Sequence, residues 1–328
     1  MAAKQVKWIA FWGVLFIQGP MHLLDQLRAF SRIAADTGDL AAIEKFLPRD
    51  ATTNPSIVLN TVAQNPYFLK NILTFYDGLG VEQIMDRLIV EMGVEILKII
   101  PGRVSTEVDA HLSFDVAATV DRAQTLADLY RAKGISRQSV LIKIAATWEG
   151  IRAARVLEEG GIHCNMTLIF SLEQAVACAE AGVTLISPFV GRILDWYKLN
   201  NPEILADHFD PGVESVRKIF AYYKKWGYRT EIMAASFRDV DEILALAGCD
   251  LLTINPKFLG ELAQMEGVVE DKMGALEGDI SGPKLQLRES DFRLSLNENR
   301  MAEEKLSEGI RLFCRDIRRL RELVGAQL

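Results

Sequence analysis

The sequence predicts a closed (β/α)8 barrel formed by residues 21–328 as a single domain. Three observations predict it. Eight short apolar or β-branched stretches alternate with longer stretches of helical periodicity. One junction pattern recurs: Gly134, Gly161, Gly182, Gly227 and Gly248 each close a helical stretch shortly before a strand. The polar residues of the strands also gather at the strands' C-terminal ends, where barrel enzymes place their chemistry. Parallel strands need crossovers, and these are nearly always helices, so the repeat argues for parallel βα units. Eight such units in 328 residues favour closure over an open doubly wound sheet. An open sheet would want a glycine-rich nucleotide loop at its first turn. Gly78-x-Gly80 has no strand before it, and no Gly-Lys-Ser/Thr occurs.

The elements follow in order. Residues 8–17 are apolar and follow Lys4 and Lys7, but the stretch is too short to span a bilayer and no small-x-small cleavage site follows. Met21 opens a new helical pattern that runs to Phe30. The segment 1–20 is therefore read as an apolar extension from a start codon assigned too early, with an export signal or a genuine extension as the other accounts. It is left out of the fold. Strands are predicted at 32–36, 50–54, 104–109, 140–146, 163–169, 184–190, 230–235 and 251–254. The second is weak in propensity and is placed by its Asn54-Pro55 exit, because a residue before proline is pushed out of the helical region. Residues 57–99 hold two or more helices, with Asn65-Pro66 as a start signal. Residues 115–133 put Val116, Val120, Ala123, Ala127 and Tyr130 on one face. Ser171 with Gln174 is a capping-box pattern opening a helix over 172–181. Asp210-Pro211-Gly212 leads into a helix ending at Trp226, and another helix covers 239–247. Pro256 suits a first helical turn, and Gly274 to Pro283 reads as a loop. The last helix carries a seam of Leu306, Ile310, Phe313, Ile317, Leu320 and Val324, read as packing on the barrel.

Composition narrows the function classes. Hydrophobic residues make up 49% and charged residues 25%, an ordinary globular balance. A net charge of −7, with no long basic run or RNA-binding aromatic motif, argues against nucleic acid as a partner. No stretch long enough to cross a membrane is expected. Cys164, Cys178, Cys249 and Cys314 form no CxxC pair and read as small core residues in a reducing compartment. The four histidines make no HxH or HExxH pattern, so no metal is expected.

The candidate site begins at residues 140–147, Val-Leu-Ile-Lys-Ile-Ala-Ala-Thr. A lysine inside such a buried strand must find a partner or lose its proton, because burial disfavours the charged form. A deprotonated amine is a nucleophile towards carbonyls. The other strand ends add Asp36, Asn54, Glu107, Asn165 with Thr167, Ser187, and Ser236 with Arg238. Each alone has a structural explanation: Asp36 as a helix cap, Asn54 as a turn residue, Thr167 as a satisfied core hydroxyl. Their clustering is harder to explain so, because grouped buried polar residues need mutual partners or a ligand. The residue types suggest Schiff-base chemistry. Lys143 attacks a ketone, Glu107 and Asp36 move protons, Asn54 and Asn165 hold hydroxyls, and Thr167 orients a water. Arg192 and Arg238, just past two strands with Ser236 nearby, suit a phosphate.

At these residues the chain closely resembles the transaldolase family. The resemblance is carried by Ala35–Asp39, by Asp50–Ser56 (Asp-Ala-Thr-Thr-Asn-Pro-Ser), by Pro101–Asp109 and by Leu141–Trp148. It continues through Cys164–Phe170, Ile186–Tyr197 (Ile-Ser-Pro-Phe-Val-Gly-Arg-Ile-Leu-Asp-Trp-Tyr) and Ala235–Arg238, so that it spans about residue 22 to the C-terminus. It implies Lys143 as the Schiff-base lysine, and Asp36 and Glu107 as acid/base groups. Asn54, Asn165, Thr167 and Ser187 would surround the sugar, with Arg192, Ser236 and Arg238 towards its phosphate. It also implies a cytoplasmic enzyme without cofactor or metal, often a homodimer. The reaction would carry a dihydroxyacetone unit from sedoheptulose 7-phosphate to glyceraldehyde 3-phosphate, giving erythrose 4-phosphate and fructose 6-phosphate. Phe189 would keep water from the intermediate. Ala146 stands where many relatives have serine, and the apolar N-terminus is foreign to the family. The related fructose-6-phosphate aldolases, lyases on the same barrel, are shorter and carry Gln and Tyr where this chain has Glu107 and Phe189. A non-catalytic phosphosugar-binding protein is the remote alternative. A pyridoxal-phosphate barrel would also use a lysine, but no aromatic-plus-glycine phosphate cup supports it.

Overall fold

The computed structural model describes residues 21–274 and 282–328. The apolar stretch 1–20, and most of the loop read between Gly274 and Pro283, lie outside the described residues. Eight parallel strands close into a barrel in sequence order. They are β1 (Arg32–Asp36), β2 (Asp50–Thr52), β3 (Val104–Glu107), β4 (Val140–Ala145), β5 (Cys164–Ile169), β6 (Leu185–Pro188), β7 (Glu231–Ala234) and β8 (Leu251–Ile254), with β1 pairing both β2 and β8. Each lies within its predicted range. The ends are trimmed where a side chain leaves the sheet to cap a helix: Asn54 accepts from the Ile57 N–H, and Asp109 from the His111 N–H.

The two-residue period of the strands separates structure from chemistry. Ala34, Leu141, Leu185, Met233 and Leu251 form a small apolar cluster of their own, apart from the main core. Two residues further along the same strands, on the same face, come Asp36, Lys143, Ser187, Ala235 and Thr253. An apolar layer thus floors the barrel, and a mostly polar layer lies above it at the C-terminal ends. The alternate residues, such as Ile142, Ile144, Ile186 and Ile254, belong to the main core.

All five junction glycines adopt positive φ, between 65° and 100°, so each ends its helix in the left-handed conformation that other residues resist. Helices between strands start on side-chain caps. Asp115, Thr147, Ser171, Asp210 and Asp239 each accept a backbone N–H from the first turn. Three helices fill the stretch after β2, within the two or more expected there: Pro55–Gln64, Pro66–Phe75 and Val81–Leu97. The helix Val116–Ala132 buries Thr119, Ala123, Leu126, Ala127 and Tyr130, a face rotated from the predicted one, which leaves Val116 and Val120 half exposed. The helix expected over 239–247 is shorter, Val240–Leu244, and its last residues form turns. Only half of the capping box at Ser171 exists. Ser171 accepts the Gln174 N–H, but the buried Gln174 amide turns inward to the Phe170 N–H and the carbonyls of Ala146 and Leu168.

A helix at Glu289–Glu298 precedes the long C-terminal helix, Arg300–Gly325. The whole predicted seam of that last helix is buried, and it packs on Pro55–Gln64, Val81–Leu97 and β5. No described helix is long and apolar enough to cross a membrane.

Candidate active site

Strand register assembles the site. Glu107 of β3 pairs with Lys143 of β4, which pairs in turn with Asn165 of β5; Ala145 pairs with Thr167, and Asp36 with Thr52. Lys143 is 4% exposed. Its Nζ donates to the Thr53 carbonyl at 3.2 Å and lies 3.2 Å from Glu107 Oε2. Among the described residues it has no other hydrogen-bond or ion-pair partner, and it lines a cavity.

That cavity, about 320 Å³, lies over the polar layer. Asp36, Asn54, Lys143, Ser187, Phe189, Arg192, Ser236 and Arg238 all line it. Glu107, Asn165 and Thr167, also expected there, are buried and are not among the residues that line this cavity. The Asn165 amide is held at both ends, donating to Ser105 Oγ at 3.0 Å and accepting from Ser187 Oγ at 2.7 Å. Asn54 spends its side-chain oxygen on the Ile57 N–H, which leaves its NH2 group for another partner.

Thr167 differs from these. Its hydroxyl is fully buried and has no hydrogen-bond partner among the described residues. The next residue, Leu168, has φ of 59° where β5 bulges against β6 between Met166 and Ile169. The Gln174 amide accepts and donates around this bulge.

The electrostatics follow from burial. It pushes the Glu107 carboxyl above its ordinary range, and Asp36 adds to the rise, against the pull of Lys143 and Arg192. Burial also raises Asp36, although Lys143, the Thr52 hydroxyl (2.8 Å away) and Arg192 pull it down. Two carboxyls that hold protons more readily than usual therefore surround one amine, the arrangement acid/base catalysis requires.

The cavity's other end is cationic. Arg238 is paired with Asp195 at 2.6 Å and reaches Ser236 Oγ at 3.3 Å. Arg192 has no acidic partner among the described residues. Its guanidinium lies over the Phe189 ring at 5.0 Å and the Phe313 ring at 5.9 Å. Burial and the neighbouring Arg238 lower its affinity for its proton. An anion placed between the two guanidiniums would relieve that repulsion. Phe189 packs edge-on against Phe170 at 5.6 Å.

Several contributors escaped the sequence. Thr52 bridges Asp36 to Thr253, at 2.8 and 2.7 Å. Inward alternation from Leu251 could have marked Thr253. Lys257 and Phe313 also line the cavity. Phe313 sits in an apolar helical seam, and nothing local distinguishes it from its core neighbours. Among the described residues no group of histidine, cysteine, aspartate or glutamate could hold a metal ion.

The chain is similar to known proteins over most of its length. A family model described as "Transaldolase/Fructose-6-phosphate aldolase" matches residues 33–324. A protein described as "Transaldolase" from Prochlorococcus marinus is 53% identical over 319 residues, which cover 93% of this chain and 95% of that protein.

Proposed function

The chain belongs to the transaldolase/fructose-6-phosphate aldolase family and is a transferase of the transaldolase type, and from that premise we propose that it carries a dihydroxyacetone unit between sugar phosphates on Lys143. The donor is sedoheptulose 7-phosphate and the acceptor glyceraldehyde 3-phosphate; the products are erythrose 4-phosphate and fructose 6-phosphate. The supporting observation is a buried amine that lines a cavity, with a carboxylate beside it and an arginine pair across the space.

In this reading the phosphate is held by Arg192, Ser236 and Arg238, which sets the distance from the phosphate to the ketone. The Lys143 amine gives up a proton to Glu107 and attacks C2, forming a carbinolamine. Glu107 returns a proton to the departing hydroxyl through a water held by the Thr167 hydroxyl, and an iminium forms with loss of water. The iminium is the electron sink for the next bond. Asp36 takes the proton of the C4 hydroxyl, the C3–C4 bond breaks, and the aldehyde leaves. The electron pair stays on C3 as an enamine. Attack of that carbon on the acceptor aldehyde, with Asp36 returning its proton, reverses the sequence. Transfer requires that the enamine escape protonation by water. Phe189 with Phe170 supplies the apolar wall for that, while Asn54, Asn165 and Ser187 position the sugar hydroxyls.

Borohydride in the presence of fructose 6-phosphate tests this directly. It should fix a three-carbon unit on the peptide holding Lys143, and Lys143→Ala should lose both the adduct and turnover. An adduct elsewhere overturns the assignment. Release of free dihydroxyacetone without acceptor, at a rate rivalling transfer, would favour the lyase activity instead. A cytoplasmic location and a homodimer, together with cofactor independence, complete the proposal; sedimentation of the native protein reads the oligomeric state.

A further inference from the structure

One buried acid lies outside the mechanism just described. Glu242, on the short helix Val240–Leu244, is 3% exposed. Its Oε2 accepts the backbone N–H of Arg238 at 2.6 Å, and its Oε1 is buried without a hydrogen-bond partner. Its own N–H is capped by Asp239. The carboxyl therefore sits against the turn Ser236-Phe237-Arg238 and does not line the cavity.

That turn is constrained. Ser236 has φ of 64°, a conformation that costs an ordinary residue on the order of 1–2 kcal/mol. Its carbonyl accepts the Gly191 N–H at 2.9 Å, and the Arg238 side chain folds back on both its carbonyl and its hydroxyl at 3.3 Å. Gly191 opens the helix that carries Arg192 and Asp195. A Cβ at Gly191 would come within 2.5 Å of Arg238 Cγ, so the turn and that helix start are packed tightly. Both arginines of the cationic end thus hang on one turn, and Glu242 holds that turn.

We propose that Glu242 is a positioning residue that fixes the Ser236–Arg238 turn, and through it the affinity for the phosphate end of the substrate. The proposal rests on the phosphate reading of Arg192 and Arg238. Without an acceptor at this place the Arg238 N–H loses its protein partner in a half-buried setting, Ser236 relaxes towards negative φ, and Ser236 Oγ and the Arg238 guanidinium leave their shared position. The charged and titratable groups facing the carboxyl are Arg238, with Asp239 on its own turn and Asp210 at the start of the helix Pro211–Trp226. The hydrogen bond needs an acceptor at Oε2 and not a charge.

The experiment compares Glu242→Gln, Glu242→Asp and Glu242→Leu in the full-length protein. Glu242→Gln keeps an acceptor at the same reach and should hold KM for fructose 6-phosphate within about twofold of the unmodified enzyme. Glu242→Asp falls short by one methylene and should raise that KM about tenfold, with kcat changed by less than about twofold. Glu242→Leu should do the same. Should it fail to fold, the Asp and Gln pair still decides. Inhibition by inorganic phosphate should weaken in parallel, while KM for phosphate-free fructose as donor should stay put. The inference is overturned if Glu242→Asp matches the unmodified enzyme, if Gln is no better than Asp, or if phosphate-free and phosphorylated donors suffer equally. Borohydride trapping at Lys143, run on each variant at saturating donor, reports on the Schiff-base reading separately.

Discussion

The candidate site holds buried polar groups that cost stability. Thr167 is the clearest. A buried hydroxyl with no partner loses its hydration without recompense, and the penalty for such a group is about 1–3 kcal/mol. Valine has nearly the same shape without the hydroxyl. Thr167→Val should therefore raise the Tm of the resting enzyme, by an amount equivalent to about 1 kcal/mol, while kcat falls at least tenfold because the dehydration water loses its anchor. Calorimetry alongside steady-state assays checks both halves, and a lowered Tm would show that the hydroxyl is satisfied after all. Glu242 makes a second residue-scale case. Burial, with Asp210 and Asp239 nearby, pushes its carboxyl up from 4.5 to about 7. The folded state then binds a proton that the unfolded state has released. The stabilisation is fully present below pH 4.5 and is lost as pH rises to about 7. Its full size is on the order of 3 kcal/mol, from 1.36 kcal/mol per unit. Glu242→Gln should flatten the pH dependence of stability across that window, read as urea midpoints from pH 4.5 to 7.5; an unchanged slope would place the titration elsewhere.

At the scale of elements, the C-terminal helix Arg300–Gly325 does more than cover the barrel. Phe313 lies against the Arg192 guanidinium, and Gly309 lets the helix approach Leu168. A Cβ at Gly309 would stand 2.7 Å from Leu168 Cδ2 and 3.3 Å from Arg192 Nη1. Leu168 is fully buried, and its backbone is locked in the left-handed region by the bulge, so it has little room to yield. Alanine at an open helical position gains about 1 kcal/mol over glycine, but overpacking costs about 1–3 kcal/mol. Gly309→Ala should thus lower stability and raise KM for phosphorylated donors as Arg192 shifts; an increase in Tm would show that the contact is slack. The same elements show what a sequence carries and what it does not. The barrel is legible because its signals are local: junction glycines, caps, and apolar strands of the right length. Lys143 is legible because charge in a buried strand violates a pattern. Gln174 and Phe313 are not, since a glutamine after a serine reads as a capping box and a phenylalanine in a seam reads as core. Their roles depend on contacts with Ala146, Leu168 and Arg192, which only the closed fold brings together. Asn54 shows a mixture of the two. Its turn-like setting before Pro55 is readable, but its place on the cavity wall requires the barrel.

For the whole molecule, the two ends of the barrel differ in how they respond to protons. The C-terminal end carries Asp36, Glu107 and Glu242, all raised by burial, so each favours the folded state at low pH and loses that contribution as pH rises. The N-terminal end is tied by ions. Glu231, at the start of β7, pairs with Arg32 at the start of β1 and, at 2.7 Å, with Arg103 just before β3, which also reaches Asp50 of β2 at 3.3 Å. This chain of charges crosses the barrel mouth and links strands that are not neighbours in the sheet. Although burial alone would raise Glu231, hydrogen bonds and charge from Arg32 and Arg103 outweigh it and hold its carboxyl below the usual value of 4.5. Its contribution is therefore present above pH 4.5 and is lost as pH falls through the lowered folded-state value. The two ends therefore contribute slopes of opposite sign to the pH dependence of stability. Glu231→Gln removes one charge from a partly buried network with two cationic partners, so the loss should exceed that of an isolated surface pair, reaching about 1–3 kcal/mol near pH 6. It should also make the loss of stability in acid less steep while leaving kcat/KM unchanged, since chemistry in this fold belongs to the opposite face. Denaturation midpoints taken from pH 3 to pH 8 on both proteins decide the matter. A fall in kcat/KM at constant stability would show that the two ends are not independent, and an acid slope identical in the two proteins would show that Glu231 does not contribute to it.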